Sequence, residues 1–189
     1  MNKAIFLDRD GTINVDKHYL YRIEDFEFLH GVIEGLKLLQ DAGYLLIIIT
    51  NQSGIGRGYY TEEEYQRLMT WLVNELWQRG VKISASYFCP HLPNAKDKRY
   101  KMNCNCRKPQ LGLFQKAIVE HDIDLSHSWA IGDRLRDCII CEKTACHGFL
   151  VGHTEGELKV RAIRAGKFAR IQYAESLYEA SKIIAGGEK

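Results

Sequence analysis

The sequence predicts an α/β protein: a Rossmann-like parallel sheet with helices on both of its faces. Three observations indicate this fold class. Short apolar segments alternate with amphipathic helical segments, residues 44–49 form an uninterrupted apolar run, and no internal repeat or low-complexity linker breaks the pattern. A continuous isoleucine-rich run is typical of a strand buried on both faces. Alternating strands and helices indicate crossover connections between parallel strands.

The first predicted elements follow from apolar spacing and from glycine. Residues 4–7 are apolar and stop abruptly at Asp8, which predicts a short buried strand. A helix then begins near Gly31, where apolar residues recur at helical spacing, and Gly43 suits the position just after its C-terminus. The apolar run 44–49 follows as the second strand.

Later elements carry signals of the same kind. Thr61 and Glu64 form a capping-box pattern, which predicts the start of a helix that ends at Gly80. Alternating apolar and polar residues over 81–87 predict a strand with one less buried face. The remaining predicted elements are helices over 113–119, from about 135, over 158–165 and over 176–184, and strands over 128–131, 149–151 and 168–171.

Length and composition limit the possible functions. The chain has 189 residues, enough for one domain with a full hydrophobic core, and we expect residues 1–189 to form a single domain. A net charge of +2 gives no electrostatic reason to expect nucleic acid or an anionic membrane as the main partner. The longest apolar run is too short to cross a bilayer. Because no signal peptide is visible, we expect a cytoplasmic protein, and a monomer is compatible with this architecture.

Reactive side chains follow three of the predicted strands. Asp8 and Asp10 come after the first strand, Thr50 after the second and Asp133 after a later one, while Lys108 lies in a loop before a helix. In an open parallel sheet the active crevice lies beyond the carboxyl ends of the strands. Clustered carboxylates repel one another unless a divalent cation is present, and hard, octahedral Mg²⁺ suits such ligands. A hydroxyl and an ammonium group beside them can stabilise a transferring phosphoryl group.

Each of these motifs is common when it occurs alone. An Asp-x-Asp pair is usually a turn, Thr-Asn after a strand is ordinary turn chemistry, and Arg-Lys-Pro is often a surface helix start. Their joint order, and their shared position after apolar strands, favours a catalytic site over this structural interpretation.

A second cluster has the spacing of a metal site. Cys89 and His91 are followed after twelve residues by Cys104 and Cys106. Three thiolates and one imidazole complete a tetrahedral zinc shell with no open position, so we expect structural Zn²⁺ in an inserted loop over 89–106. The alternative is three buried cysteines beside an incidental histidine.

The other three cysteines lack this spacing. Cys138 and Cys141 are three residues apart, and neither they nor Cys146 pair with a histidine at ligand spacing. We interpret all three as small buried side chains.

In their order along the chain, the sequence Asp8-Arg9-Asp10-Gly11-Thr12, then Thr50, Lys108 and Gly132-Asp133, resembles the four motifs of the haloacid dehalogenase (HAD) superfamily. The resemblance spans nearly the whole chain. It implies a phosphatase with Asp8 as nucleophile, Asp10 as general acid and base, and Thr50 and Lys108 as phosphoryl-binding groups. It also implies that Mg²⁺ is held by Asp8, Asp133 and the main-chain carbonyl of Asp10. Neither gap between motifs has room for a cap domain, so a capless enzyme is expected.

Finer features narrow the resemblance. The segment from Thr50 to Gly58, the four zinc ligands and Arg107-Lys108-Pro109 together look like the D-glycero-D-manno-heptose 1,7-bisphosphate 7-phosphatase family. That family implies removal of the C7 phosphate of the sugar bisphosphate, in the synthesis of bacterial surface polysaccharide precursors. The sister histidinol-phosphate phosphatases share the zinc ligands but typically have a shorter loop, and they are the alternative together with other small phosphate monoesters.

The same resemblance implies contacts to a small sugar phosphate. Sugar-facing residues would come from the loop after Thr50, and arginines would bind the retained C1 phosphate, since a guanidinium group suits bidentate phosphate recognition. The implied substrate-binding residues are Asn51, Gln52, Ser53, Arg57, Arg107 and Arg134. A zinc-stabilised module that binds nucleic acid or protein is the alternative of another class, with the basic residues of 96–101 as its only support.

Overall fold

The structure is a computed structural model that describes residues 1–187; residues 188 and 189 of the predicted single domain lie outside the described residues. Six parallel strands form one sheet in the order β3-β2-β1-β4-β5-β6. The predicted fold class is therefore confirmed. The strands are β1 Ala4–Leu7, β2 Leu45–Asn51, β3 Ile83–Cys89, β4 Trp129–Gly132, β5 His147–Val151 and β6 Ile171–Ala174.

Helices cover both faces of this sheet. They are α1 Val32–Asp41, α2 Ser53–Arg57, α3 Glu62–Gln78, α4 Gly112–His121, α5 Ile139–Lys143, α6 Glu157–Arg164 and α7 Leu177–Gly186. The buried side chains of α1, α3 and α7 form one hydrophobic core with one face of the sheet. Those of α4, α5 and α6 form a second core on the other face. Strand β1 supplies both cores, because successive side chains of a strand point to opposite faces.

Helix α3 shows how closely local sequence determines an element boundary. The Thr61 hydroxyl accepts a hydrogen bond from the Glu64 backbone amide at 3.1 Å, and the Glu64 carboxylate accepts one from the Thr61 amide at 2.8 Å. The predicted capping box is therefore present, and it satisfies two amide groups that the first helical turn leaves without partners.

The register of the sheet brings the ends of three strands to one edge. Leu7 of β1 lies opposite Ile48 of β2 and Ile131 of β4. The next residue, Asp8, donates its backbone N–H to the Ile131 carbonyl at 3.0 Å. Because all strands run in the same direction, the residues that follow them meet at the carboxyl edge, where the chain reverses strand order.

The last strand differs from the prediction. We expected a strand over 168–171, but β6 runs over Ile171–Ala174. Helix α6 ends at Arg164, and Gly166 follows it with its backbone in the left-handed region at φ of 74°. Residues 167–170 form a turn. Phe168 still packs against the second core, so its apolar character reflects partial burial in a turn rather than in a strand.

Two further differences concern short helical segments. Helix α2 was not predicted, because Ser53–Arg57 contains two glycines that are unfavourable inside helices. The helix predicted from residue 135 is divided into a 3-10 turn, Leu135–Cys138, and α5. None of the helices within residues 1–187 combines the length and the apolar character that crossing a bilayer requires.

Leucine-to-alanine substitutions test the packing of the first core. Leu36 on α1 is fully buried, whereas Leu158 on α6 is 82% exposed. We expect Leu36→Ala to lower the free energy of unfolding by about 2–5 kcal/mol, because it leaves a cavity. Leu158→Ala, the matched control, should change it by less than about 0.5 kcal/mol. Chemical denaturation measures both, and equal effects would contradict this packing.

Candidate active site

Lys108 lies between two buried carboxylates at the carboxyl edge of the sheet. Its Nζ is 2.7 Å from Asp8 Oδ1 and 2.7 Å from Asp137 Oδ1, and it donates a hydrogen bond to the Ile49 carbonyl at 2.6 Å. Burial lowers the pKa of Lys108, but Asp137 and Asp8 outweigh this effect and the net shift is upward. The lysine is therefore held as a cation directly beside the expected nucleophile.

Three carboxylates form a compact acidic cluster around this lysine. One oxygen from each of Asp8, Asp133 and Asp137 lies within 4.8 Å of the others. Asp133 Oδ2 is buried and has no hydrogen-bond partner within the described chain. Gly11 lies against the same carboxylate, where any Cβ would collide with it, and its φ of 82° favours glycine. An unpartnered buried carboxylate oxygen among three acidic groups fits the ligand set of a hard divalent cation.

Burial also changes the acidity of the cluster. It raises the pKa of Asp8 to about 7, although Lys108 acts in the opposite direction. Burial and the neighbouring Asp137 raise the pKa of Asp133 to about 6. These carboxylates are costly to ionise together in the absence of a cation.

Asp10 is separated from this cluster and is held by donors. Its carboxylate accepts hydrogen bonds from the Arg9 guanidinium group at 2.8 Å, from Asn14 Nδ2 at 3.0 Å and from Gln52 Nε2 at 3.1 Å. Arg9 is fully buried. The side chain of Asp10 therefore does not join the three carboxylates, and the implied role of its main-chain carbonyl in binding Mg²⁺ stays a prediction.

The side chains at the end of β2 bind other residues of the site. Thr50 is buried, and its hydroxyl accepts a hydrogen bond from Gln52 Nε2 at 2.9 Å. The Asn51 side chain binds the main chain of Lys108 in both directions: Nδ2 donates to the carbonyl and Oδ1 accepts from the amide, each at 3.0 Å. Asn51 thus fixes the segment that carries Lys108.

A cavity of about 330 Å³ opens above these groups. All six residues implied as substrate contacts line it, namely Asn51, Gln52, Ser53, Arg57, Arg107 and Arg134. Arg57 Nε and Arg107 Nη1 are buried without a hydrogen-bond partner among residues 1–187. Burial lowers the pKa of Arg107, and the nearby Arg136 adds to this shift. Such a concentration of cationic groups, two of which have a nitrogen without a hydrogen-bond partner, suits an anionic ligand.

Sequence reasoning missed several residues of this site, among them Asp137 and Arg136. Asp137 lies four residues after Asp133, and this spacing could have indicated a second carboxylate at the same site. Arg136 lines the cavity beside Arg134, but it belongs to a short 3-10 turn whose geometry the sequence did not reveal.

The predicted zinc ligands come together on one side of the site. Cys89 Sγ is 3.5 Å from Cys104 Sγ and 3.1 Å from Cys106 Sγ, and His91 Nδ1 is 3.2 Å from Cys106 Sγ. Four ligand atoms at these separations surround a space suited to one tetrahedral ion, and the donor set of three thiols and an imidazole fits Zn²⁺.

The zinc-ligand loop also contacts the cavity wall. The Lys96 amide donates to the Gly56 carbonyl of α2 at 2.8 Å, and Cys106 is followed directly by Arg107 and Lys108. Cys138, Cys141 and Cys146 lie elsewhere and are buried, as predicted.

The raised aspartate pKa values predict a pH dependence of stability in magnesium-free protein. Between the ordinary aspartate pKa of 3.8 and about 7, the folded chain retains protons at Asp8 that the unfolded chain has lost. Stability from this group is therefore present at low pH and is lost as pH rises through about 7. We expect the free energy of unfolding of the wild type, relative to that of Asp8→Asn, to fall by about 1–3 kcal/mol across this window. Urea denaturation at several pH values measures the difference, and a relative increase would contradict the assignment.

Two family models match the chain. One is described as polynucleotide kinase 3 phosphatase and matches residues 3–138, and the other is described as HAD-hydrolase-like and matches residues 105–180. A D-glycero-beta-D-manno-heptose-1,7-bisphosphate 7-phosphatase of Haemophilus ducreyi is 48% identical over 141 residues, which are 74% of this chain and 77% of that protein. A D-glycero-alpha-D-manno-heptose-1,7-bisphosphate 7-phosphatase of Photorhabdus laumondii is 40% identical over 185 residues, 96% of each chain.

A solved structure extends the comparison to the fold. It is that of a D,D-heptose 1,7-bisphosphate phosphatase from B. bronchiseptica complexed with magnesium and phosphate. Its TM-score is 0.81 at 27% identity, and the match covers 98% of this chain and 99% of that chain. The resemblance inferred from the motifs is therefore confirmed. The chain belongs to the HAD-like phosphatases, within the D-glycero-D-manno-heptose 1,7-bisphosphate 7-phosphatase family.

Proposed function

We propose that this chain hydrolyses the C7 phosphate of D-glycero-D-manno-heptose 1,7-bisphosphate and leaves the phosphate at C1 in place. The observation that carries the proposal is the position of Asp8, which is buried at a strand end, 2.7 Å from the Lys108 ammonium group and beside two further carboxylates. The names of the relatives, which share 40–48% of aligned residues, support the substrate.

The chemistry we infer is nucleophilic catalysis in two steps. In the first step, an oxygen of Asp8 attacks phosphorus, the bond to the C7 oxygen breaks, and Asp10 transfers a proton to that leaving oxygen. In the second step, Asp10 takes a proton from water as the water attacks the aspartyl phosphate, which regenerates Asp8 and releases inorganic phosphate. Lys108 and Thr50 bind phosphoryl oxygens in both steps.

The acidic cluster fits Mg²⁺, which we propose is held by Asp8, Asp133 and the main-chain carbonyl of Asp10. When bound, it supplies positive charge to the phosphoryl oxygens and offsets the repulsion between the carboxylates. Asp137 pairs with Lys108 and thereby positions the lysine beside the nucleophile.

The retained phosphate would bind at the arginine-lined side of the cavity. Arg107 and Arg134 are the expected contacts, and Arg57 extends the same cationic surface. Ser53 and Asn51 lie near the sugar in this arrangement. A monophosphate without a second anionic group would leave the buried nitrogens Arg57 Nε and Arg107 Nη1 without a partner, which favours a bisphosphate substrate.

We further propose that Cys89, His91, Cys104 and Cys106 hold structural Zn²⁺, and that residues 1–189 act as one capless catalytic domain. A single continuous sheet supports the second proposal. The cytoplasmic location, the monomeric state and the lack of a nucleic-acid partner stay predictions.

Replacing the nucleophile tests the mechanism. Asp8→Asn keeps the shape of the side chain but removes its nucleophilic charge, so we expect kcat to fall by at least about 1,000-fold while the protein stays folded. Asp41→Asn, an exposed substitution at the end of α1, is the matched control and should retain full activity. Phosphate release and thermal melting are measured together. Near-normal turnover by folded Asp8→Asn would refute the assignment.

Substrate comparison tests the proposed function itself. We expect phosphate release with Mg²⁺ to be at least about 100-fold more efficient for heptose 1,7-bisphosphate than for histidinol phosphate, because only the former supplies a second phosphate to the arginines. Assays with both anomers would assign the preferred sugar. A preference for histidinol phosphate would overturn the substrate while leaving the chemistry of Asp8 intact.

Zinc content tests the second metal site. Cys104→Ala removes one of four ligands, so we expect loss of bound zinc, a melting temperature lower by several degrees and reduced activity through displacement of the Lys108 segment. Cys141→Ala, which removes a buried thiol outside the cluster, should retain stoichiometric zinc. Elemental analysis and calorimetry give these readouts. Unchanged zinc content in Cys104→Ala would exclude this ligand set.

A further inference from the structure

A chain of buried hydrogen bonds connects Tyr60 to Asp10 through the amide of Gln52. Tyr60 Oη donates to Gln52 Oε1 at 2.6 Å. Gln52 Nε2 donates to Asp10 Oδ2 at 3.1 Å and to Thr50 Oγ1 at 2.9 Å. Gln52 is 2% exposed and Tyr60 is 4% exposed, so little of either side chain faces the cavity.

The chemistry of these groups determines the orientation of the amide. Burial raises the pKa of Tyr60, which keeps its hydroxyl protonated and able to donate. A donated hydroxyl hydrogen requires the Gln52 oxygen to face Tyr60, so the NH₂ group faces Asp10 and Thr50. Both amide hydrogens are then used inside the protein. Gln52 has no remaining donor for a sugar hydroxyl, in contrast to the substrate contact expected from family resemblance.

Packing holds the Tyr60 ring in place. The Tyr21 ring stacks on it with centroids 5.2 Å apart and an interplanar angle of 14°. On another side the ring lies against Gly54 of α2, where any Cβ would collide with it. Because these neighbours hold the buried Tyr60 ring in place, the position of its hydroxyl group is fixed. The hydrogen bond from this hydroxyl therefore fixes the Gln52 amide as well.

We propose that Gln52 is a positioning residue for Asp10 and that Tyr60 fixes the orientation of the Gln52 amide. In this arrangement neither Gln52 nor Tyr60 selects the sugar. This inference deepens the proposed function, because it rests on Asp10 acting as the general acid. Arg9 and Asn14 also bind the Asp10 carboxylate, but Gln52 alone of the three also binds Thr50. Gln52 therefore fixes the position of the Asp10 carboxylate, the proposed proton donor, relative to the Thr50 hydroxyl, the proposed phosphoryl-binding group.

The leaving group provides the first test. An alkoxide leaving from C7 needs the proton of Asp10, whereas the stable phenolate of p-nitrophenyl phosphate leaves without it. We expect Tyr60→Phe and Gln52→Met each to lower kcat/KM for heptose 1,7-bisphosphate by about 10–100-fold, with KM within about twofold of wild type. The loss for p-nitrophenyl phosphate should be at least about fivefold smaller.

Tyr21→Phe is the matched control, because it removes a hydroxyl from the ring stacked on Tyr60 without touching Gln52. That hydroxyl contacts exposed Arg22, and we expect wild-type kinetics with both substrates. Equal losses for the two substrates would overturn the proposal and indicate general damage. A raised KM with unchanged kcat in Gln52→Met would overturn it in favour of a direct sugar contact.

A double-mutant cycle provides the second test and needs only one substrate. Because Tyr60 acts through Gln52, adding Tyr60→Phe to Gln52→Met should lower kcat/KM by less than about twofold further. Multiplicative losses would overturn the proposed coupling. If the wild type prefers a different alkyl phosphate, the same cycle is measured with that compound, so failure of the substrate proposal and failure of this inference give different results.

Discussion

The structure depends on one charge arrangement: the Lys108 ammonium group buried between Asp8 and Asp137. Isolated buried charges are costly, and this cation and its two carboxylates are tolerated because they are paired: Lys108 Nζ lies 2.7 Å from an oxygen of each carboxylate and donates a hydrogen bond to Asp8. Asp8 is held by the central strand β1, whereas Lys108 arrives on a distant loop. Much of the surrounding architecture therefore serves to bring that loop to the end of β1 and hold it there.

Two features of the structure serve this purpose. Asn51, at the end of β2, binds the Lys108 main chain through two hydrogen bonds, which ties the loop to the sheet. The Cys and His cluster lies just before Arg107, and the proposed zinc would cross-link the loop to the end of β3. We therefore propose that zinc and the Asn51 clamp together hold the loop where hydrophobic packing does so elsewhere in the protein.

Much of this arrangement could be predicted from the sequence, because it depends on local patterns. The apolar runs of β1 and β2, the capping box at Thr61 and the ligand spacing around Cys89 each carry their own signal. The predicted position of β6 was wrong because Phe168 is partly buried in a turn, and an apolar residue there gives the same sequence pattern as a strand residue. The role of Gln52 was not accessible, since its partners Asp10 and Tyr60 are brought together only by the fold. Family resemblance implies a sugar contact for Gln52, whereas we propose from its buried hydrogen bonds that it positions Asp10.

The three consecutive residues Thr50, Asn51 and Gln52 have a consequence for evolution and redesign. The Thr50 hydroxyl accepts a hydrogen bond from Gln52, Asn51 binds the Lys108 main chain and Gln52 binds Asp10, so we expect substitutions there to damage the proposed reaction itself. Ser53 and Arg57 line the cavity without such contacts to Asp10 or Lys108, whereas Arg134 and Arg136 lie 4.0 and 3.9 Å from the carboxylates of Asp133 and Asp137. A preference for another sugar can therefore arise by substitution of Ser53 and Arg57, the outer positions of the cavity, without change to the triplet. Mutational libraries aimed at other phosphorylated metabolites should vary these outer positions and leave the inner triplet intact.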